Sequence, residues 1–134
     1  MADVSLSPLT KMLQGDDDIE WAGWGQTPIV ANFEQPQIEY AATHKAAALV
    51  HRPELGVLRA TGKDRLGFLN NLLTQGLADL PAGAWKPSML LNLKGRIVSV
   101  LDVVNTPADD ATLLVTQRDQ IGMLVETMDA YRFA

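Results

Sequence analysis

Apolar residues recur at helical spacing through TGKDRLGFLNNLLTQG, residues Thr61 to Gly76. Leu66, Leu69, Leu72 and Leu73 form a stripe that Phe68 widens. Thr61 and Asp64 stand three residues apart at its start, the spacing of a capping box. Gly76 follows the last leucines, where a left-handed residue ends many helices. The pattern predicts a helix over Arg65–Gln75 with its leucines against a sheet. Lys63, Arg65, Asn70, Asn71, Thr74 and Gln75 are left for water.

Elsewhere the period drops to two. In RIVSVLDVV, Arg96 to Val104, one face holds Ile97, Ser99, Leu101 and Val103, and the other holds Val98, Val100, Asp102 and Val104. Leu55–Ala60, Trp85–Leu93 and Ala111–Thr116 read as further strands, with Pro87 confined to the beginning of its strand. Gly95 is the expected positive-φ position in the turn LNLKGR. Two short strand-to-strand links imply antiparallel neighbours. The crossover through Leu66–Leu73 is right-handed if its flanking strands are parallel. The closing segment predicts a helix with Ile121, Leu124, Val125 and Met128 on its inner stripe.

The first part of the chain is less regular. SPLTKML predicts a short helix, with Ser7 as cap and Pro8 in the first turn. GDDDIE reads as an acidic surface loop without the ligand spacing of a calcium site. WAGWGQTP reads as a loop whose Trp21 and Trp24 either plug the core or line a pocket. An alanine-rich helix is expected from Ile38 to about Val50. The whole predicts an α+β fold, a mainly antiparallel or mixed sheet covered by helices. Residues 1–38 are expected as a segment packed on an α+β domain spanning residues 39–134.

Composition narrows the function. The 134 residues suit one domain and carry a net charge of −5, which argues against nucleic acid as a partner. The absence of cysteine excludes thiol nucleophiles, disulfides and cysteine-ligated metals. No apolar run is long enough to span a bilayer, and the start lacks the order of a secretory signal, so a cytoplasmic protein is expected. His44 and His51 are too few for a metal site. Asp102 demands explanation, because a carboxylate within a valine-rich strand must be paired, hydrated or shifted in pKa. Arg96 shares its side by parity, and Arg59 is another possible partner.

TGKDRLGFLNNLLTQGLADLPAG followed by LLNLKGRIVSVLDVV resembles the folate-binding domain of the glycine-cleavage T-protein (aminomethyltransferase) and its relatives, among them folate-dependent iron–sulfur-cluster assembly proteins. Gly62, Asp64, Arg65, Phe68, Leu69, Thr74, Gly83, Leu91, Gly95, Arg96 and Ile97 carry the resemblance. WAGWGQTP and IEYAATHKAAALVHR extend it upstream. It implies tetrahydrofolate as the ligand, with Trp24, Asp102 and Arg96 as candidate binding residues. It also implies a chain shortened relative to the family. The family's paired aspartates fall on Ser99 and Val100, which supply no carboxylate. The resemblance therefore implies a tetrahydrofolate-binding, aminomethyltransferase-like domain without full catalytic competence alone. The alternative is a non-catalytic protein-interaction or structural module. Self-association into a homo-oligomer is expected under either reading.

Overall fold

A computed structural model describes residues 6–107 and 110–131. Two compact units divide between Glu54 and Leu55.

In the first unit, α1 (Pro8–Leu13) begins as its sequence predicts. Pro8 opens the helix, and Ser7 accepts a hydrogen bond from the Thr10 amide at 3.0 Å. WAGWGQTP is not a loop. It forms most of a two-stranded antiparallel hairpin, β1 (Glu20–Trp24) and β2 (Thr27–Asn32). Gly25, at φ 59, takes the first position of a two-residue turn, where positive φ is required. Trp21 is half-buried and Trp24 is 57% exposed, so Trp24 plugs no core. Helix α2 (Pro36–Lys45) stops short of the expected Val50. None of its residues is buried, and alanine propensity without an apolar face to pack cannot extend so short a helix. Leu49 and Val50 stand exposed beyond it.

The second unit is an antiparallel sheet with the order β3–β6–β5–β4, comprising β3 (Leu55–Thr61), β4 (Trp85–Leu91), β5 (Ile97–Asn105) and β6 (Ala111–Gln117). Helices α3 (Arg65–Leu72) and α4 (Ile121–Ala130) contribute to the same core, and a 3₁₀ turn at Arg118–Gln120 leads into α4. The α+β class is as expected, and the sheet is wholly antiparallel. The β3–α3–β4 crossover joins the two edges of the sheet, and its flanking strands are not parallel, so the handedness rule does not apply.

The expected caps of α3 do not form. Thr61 remains in the β3–β6 ladder opposite Ala111, and Gly62 turns the chain at φ 110. Asp64 is the N-cap and makes no side-chain capping bond. At the other end, Leu73 is already extended and bridges Leu90, while the Thr74 amide donates to the Met89 carbonyl at 3.1 Å. Pairing with β4 thus ends the helix before Gly76, which does not take the left-handed conformation. Gly95 does, at φ 73, as its turn predicts.

The core lies on one face of the sheet. Leu69 of α3, Leu101 and Val103 of β5, Leu114 of β6 and Leu124 of α4 are almost fully buried in it. Each buried leucine contributes about 2 kcal/mol of transfer free energy. Met128 completes the α4 stripe, with Ile121 and Val125 half-buried beside it. Helix α4 sits close on β3 because residue 56 is glycine. A Cβ there would lie 2.6 Å from Ile121 Cγ1.

Candidate functional site

Strand β5 carries the candidate positions Ser99, Val100 and Asp102, and its pleat sends Ser99 to one face and Val100 and Asp102 to the other. Ser99 points inward and is 1% exposed. Its hydroxyl donates to Gln120 Oε1 at 2.7 Å and lies 3.1 Å from Thr116 Oγ1. Thr116 in turn donates to the Val100 carbonyl at 2.8 Å. Val100 points outward and is 59% exposed. The two positions that resemblance aligns with paired acids therefore hold a buried, bonded hydroxyl and an apolar side chain.

The outward face is open. Register and pleat place Val57, Val115, Asp102 and Pro87 in one row across the four strands, and Arg59, Leu113, Val104 and Trp85 in the next. Val100 and Met89 adjoin them. Asp102 is exposed on this face. It makes no ion pair with Arg59 or Arg96. Arg59 is two strands away. Arg96 lies six residues along, about 20 Å in an extended strand. Arg96 sits in the turn organised by Asn92, whose Oδ1 accepts from the Lys94 and Arg96 amides at 2.9 and 3.0 Å. Asp102 thus lies within β5, and Arg96 lies in the turn before its first residue. Trp24 lies in the first unit, at the end of β1.

A cleft of about 450 Å³ opens beside β3, lined in part by Leu58, Arg59, Lys63, Phe68, Val125 and Met128. None of Trp24, Asp102 and Arg96 lines it. Arg65 reaches from its wall into a polar network rather than into water. Its guanidinium donates from Nε to Thr112 Oγ1 at 3.2 Å, and to the Gly62 carbonyl and Asn105 Oδ1 at 3.2 and 3.4 Å. Asp110 stands 3.4 Å away, and the Arg65 side chain is only 11% exposed. Asn105 relays the network to the Leu80 carbonyl through Nδ2 at 2.8 Å. The spacing of Arg65 on its helix suggested a solvated cation. Only its place among the residues carrying the family resemblance set it apart.

One carboxyl departs from its ordinary acidity. Burial acts to raise the pKa of Glu54. Its hydrogen bond from Arg52, a backbone hydrogen bond and the charges of Arg52 and His51 outweigh that effect and hold it below the usual value. The two histidines have local roles. His51 Nε2 lies 3.0 Å from Ser7 Oγ, and His44 Nδ1 lies 2.9 Å from the Tyr40 carbonyl, with the His44 and Tyr40 rings one helical turn apart. Among the described residues, no group of three His, Cys, Asp or Glu could hold a metal ion, and no helix is long and apolar enough to cross a membrane.

No protein-family model matches the chain. An aminomethyltransferase of Thermoanaerobacter pseudethanolicus is 29% identical over 103 residues, which cover 77% of this chain and 27% of that protein. A mitochondrial aminomethyltransferase of Dictyostelium discoideum is 34% identical over 77 residues, 58% of this chain and 19% of that protein. The crystal structure of the glycine cleavage system aminomethyltransferase T from Bartonella henselae matches 98% of this chain at a TM-score of 0.75 and 16% identity, using 36% of its own length. The chain thus spans about a quarter of its first curated relative. Its sequence is aminomethyltransferase-like over that part, and its fold is that of a portion of a glycine-cleavage T protein.

Proposed function

We propose that the chain is a tetrahydrofolate-binding, aminomethyltransferase-like domain that does not transfer the one-carbon unit by itself. The observation that carries the reading is Asp102, an exposed carboxylate without an ion pair on an apolar sheet face, two residues beyond the position where the resemblance calls for an acid. A reduced pterin is flat and presents an amine edge. Val100 and Met89 offer it an apolar floor, and Asp102 offers its amines an acceptor. Arg96, in the turn before the strand, suits the anionic tail of a long ligand better than the ring. Val100, Met89 and Asp102 suit one side of a folate site. Ligand sites bury most of their ligand, so the open face is completed by another body when folate is held.

The limit on catalysis follows from Ser99 and Val100. Bound tetrahydrofolate supplies the nitrogens that accept a one-carbon unit, and transfer needs charge placed beside them. A hydroxyl locked against Gln120 and a valine place none there.

Titration calorimetry with tetrahydrofolate at roughly 0.1 mM protein, a concentration suited to weak affinity, tests the binding half. Heat is expected with the wild type and its loss with Asp102→Ala. No heat with the wild type refutes folate binding. Equal heat with both removes Asp102 from the site. Turnover of an aminomethyl donor by the wild-type chain would refute the catalytic half. The second reading, a non-catalytic interaction module, is favoured by one observation: the face around Asp102 is open sheet, and the cleft lies elsewhere.

A further inference from the structure

The outward face of the β3–β6–β5–β4 sheet has two properties that belong together. The first is apolar area. Val57, Trp85, Met89, Leu91 and Val100 are 57%, 60%, 37%, 38% and 59% exposed. Together they leave on the order of 500 Å² of apolar surface, near the upper end for the largest patch on a monomer. The second is charge. Among the described residues on the strands of this face, Arg59 and Asp102 are the only charged ones, they are of opposite sign, and neither has an ion pair.

Their separation forbids a direct pair within one copy. The register runs from Asp102 to Val115 to Val57, and Arg59 lies two residues farther along β3. Two strand spacings and two residues of rise put the Cα atoms about 12 Å apart. The same separation suits a two-fold axis. An axis in the plane of contact, passing through the midpoint of the two residues and perpendicular to the line between them, sets Asp102 of each copy opposite Arg59 of the other. Sheets stack about 10 Å apart, a gap that an arginine and an aspartate side chain together can bridge.

We propose that this face is the seat of a second copy of the chain, packed sheet on sheet in an isologous dimer with two reciprocal Asp102–Arg59 pairs. The face is self-complementary in charge, as a two-fold contact requires. The apolar area of two copies with its polar rim approaches about 1,200 Å², the lower end for specific association. Binding is accordingly weak, with dissociation in the micromolar range. The charge pairs fix the orientation more than they add affinity. The inference does not depend on folate binding, but it shares Asp102 with that reading, so dimer and folate compete for one face.

Sedimentation velocity on the full chain from about 1 to 200 μM tests this. The wild type is expected to pass from monomer to dimer within that range. Asp102→Arg and Arg59→Asp are each expected to remain monomeric, and the double variant carrying both changes to dimerise again. Val100→Glu, at an exposed position that tolerates charge in the fold, is expected to abolish the dimer with an unchanged circular dichroism spectrum. A wild type monomeric at 200 μM overturns the proposal. So does a dimer indifferent to the single charge reversals, or a double variant that stays monomeric. Tetrahydrofolate separates the two readings. If it gives heat and shifts dimer to monomer, both stand. If it gives heat and leaves the dimer intact, folate binds away from Asp102 and the dimer stands. If it gives no heat, folate binding fails, and the dimer is judged on the variants alone.

Discussion

Replacing Arg65 tests whether the polar network behind the cleft holds the second unit together. The guanidinium makes hydrogen bonds to Thr112, Gly62 and Asn105, in a side chain 11% exposed. Arg65→Ala removes all three, and Thr112, at 0% exposure, and Asn105, at 5%, lose a charged donor that bulk water cannot readily replace. Thr112 still donates to Asn105 Oδ1 at 3.3 Å, so the partners are not orphaned, and this tempers the cost. Hydrogen bonds to charged groups contribute about 1.5–3 kcal/mol each when intact. Long distances and shared acceptors place the sum near about 2 kcal/mol. Urea titration followed by tryptophan fluorescence reads it. At a slope of about 1.5 kcal/mol/M, the midpoint falls by about 1.3 M. Arg65→Lys keeps the charge but loses the planar fork, and is expected to lose more than half of this. Asp110→Ala, which removes an 87% exposed partner, is expected to change stability by less than about 0.5 kcal/mol. A midpoint for Arg65→Ala within 0.3 M of wild type, by the same order-of-magnitude slope, would refute the role assigned to the network.

Gly56→Ala places a Cβ 2.6 Å from Ile121 Cγ1 and 3.0 Å from the Arg118 backbone, so about 1–3 kcal/mol of stability should go, seen as a lower melting temperature. Glu54→Gln should destabilise at neutral pH. Because the folded pKa is lowered, that contribution is present above the unfolded pKa of about 4.3 and fades as pH falls through the folded value, so the two denaturation midpoints should converge in acid and stay apart at pH 7. A gap independent of pH would show that packing, not charge, is at stake. Ser99→Asp buries a carboxylate against Gln120 Oε1 and should cost more than about 2 kcal/mol, whereas Val100→Asp is exposed and should leave the melting temperature within a few degrees. Similar losses for the two would mean that the faces of β5 are misassigned.

Period-two alternation in RIVSVLDVV was enough to place Ser99, Leu101 and Val103 on one face of β5 and Asp102 on the other. It failed at the start of the strand, where a register shift opposite Leu90 and Leu91 leaves Ile97 60% exposed and packs Val98 against the core. The leucine spacing likewise gave α3 its buried side. Its ends were not legible, because they are set by partners distant in sequence. Ala111 keeps Thr61 in the ladder, and Leu90 draws Leu73 out of the helix. The hairpin around Gly25 was missed because two tryptophans and two glycines obscure strand alternation, although the two-residue turn was there to be read. Arg65 escaped for a different reason. Helical spacing says which side of a helix a residue occupies but not which loop will close over it, and Asn105 and Thr112 arrive from forty and forty-seven residues away.

The route of the chain through the sheet also sets the order in which it can assemble. Strands β4, β5 and β6 follow one another, and Leu91 meets Ile97 across six residues. Strand β3 meets β6 only across spans of 50 residues, from Thr61 to Ala111, up to 62, from Leu55 to Gln117. Each doubling of a loop costs about 0.6 kcal/mol in closure entropy, so the β3 pairing starts about 2 kcal/mol behind the hairpins. Pulsed hydrogen exchange should therefore show β3 amides gaining protection after those of β5. On the ribosome the delay is longer still. At roughly 5–20 residues per second, β3 leaves the exit tunnel some 3–10 s before β6. Through that interval Leu58 and the ladder groups of β3 have no strand to join.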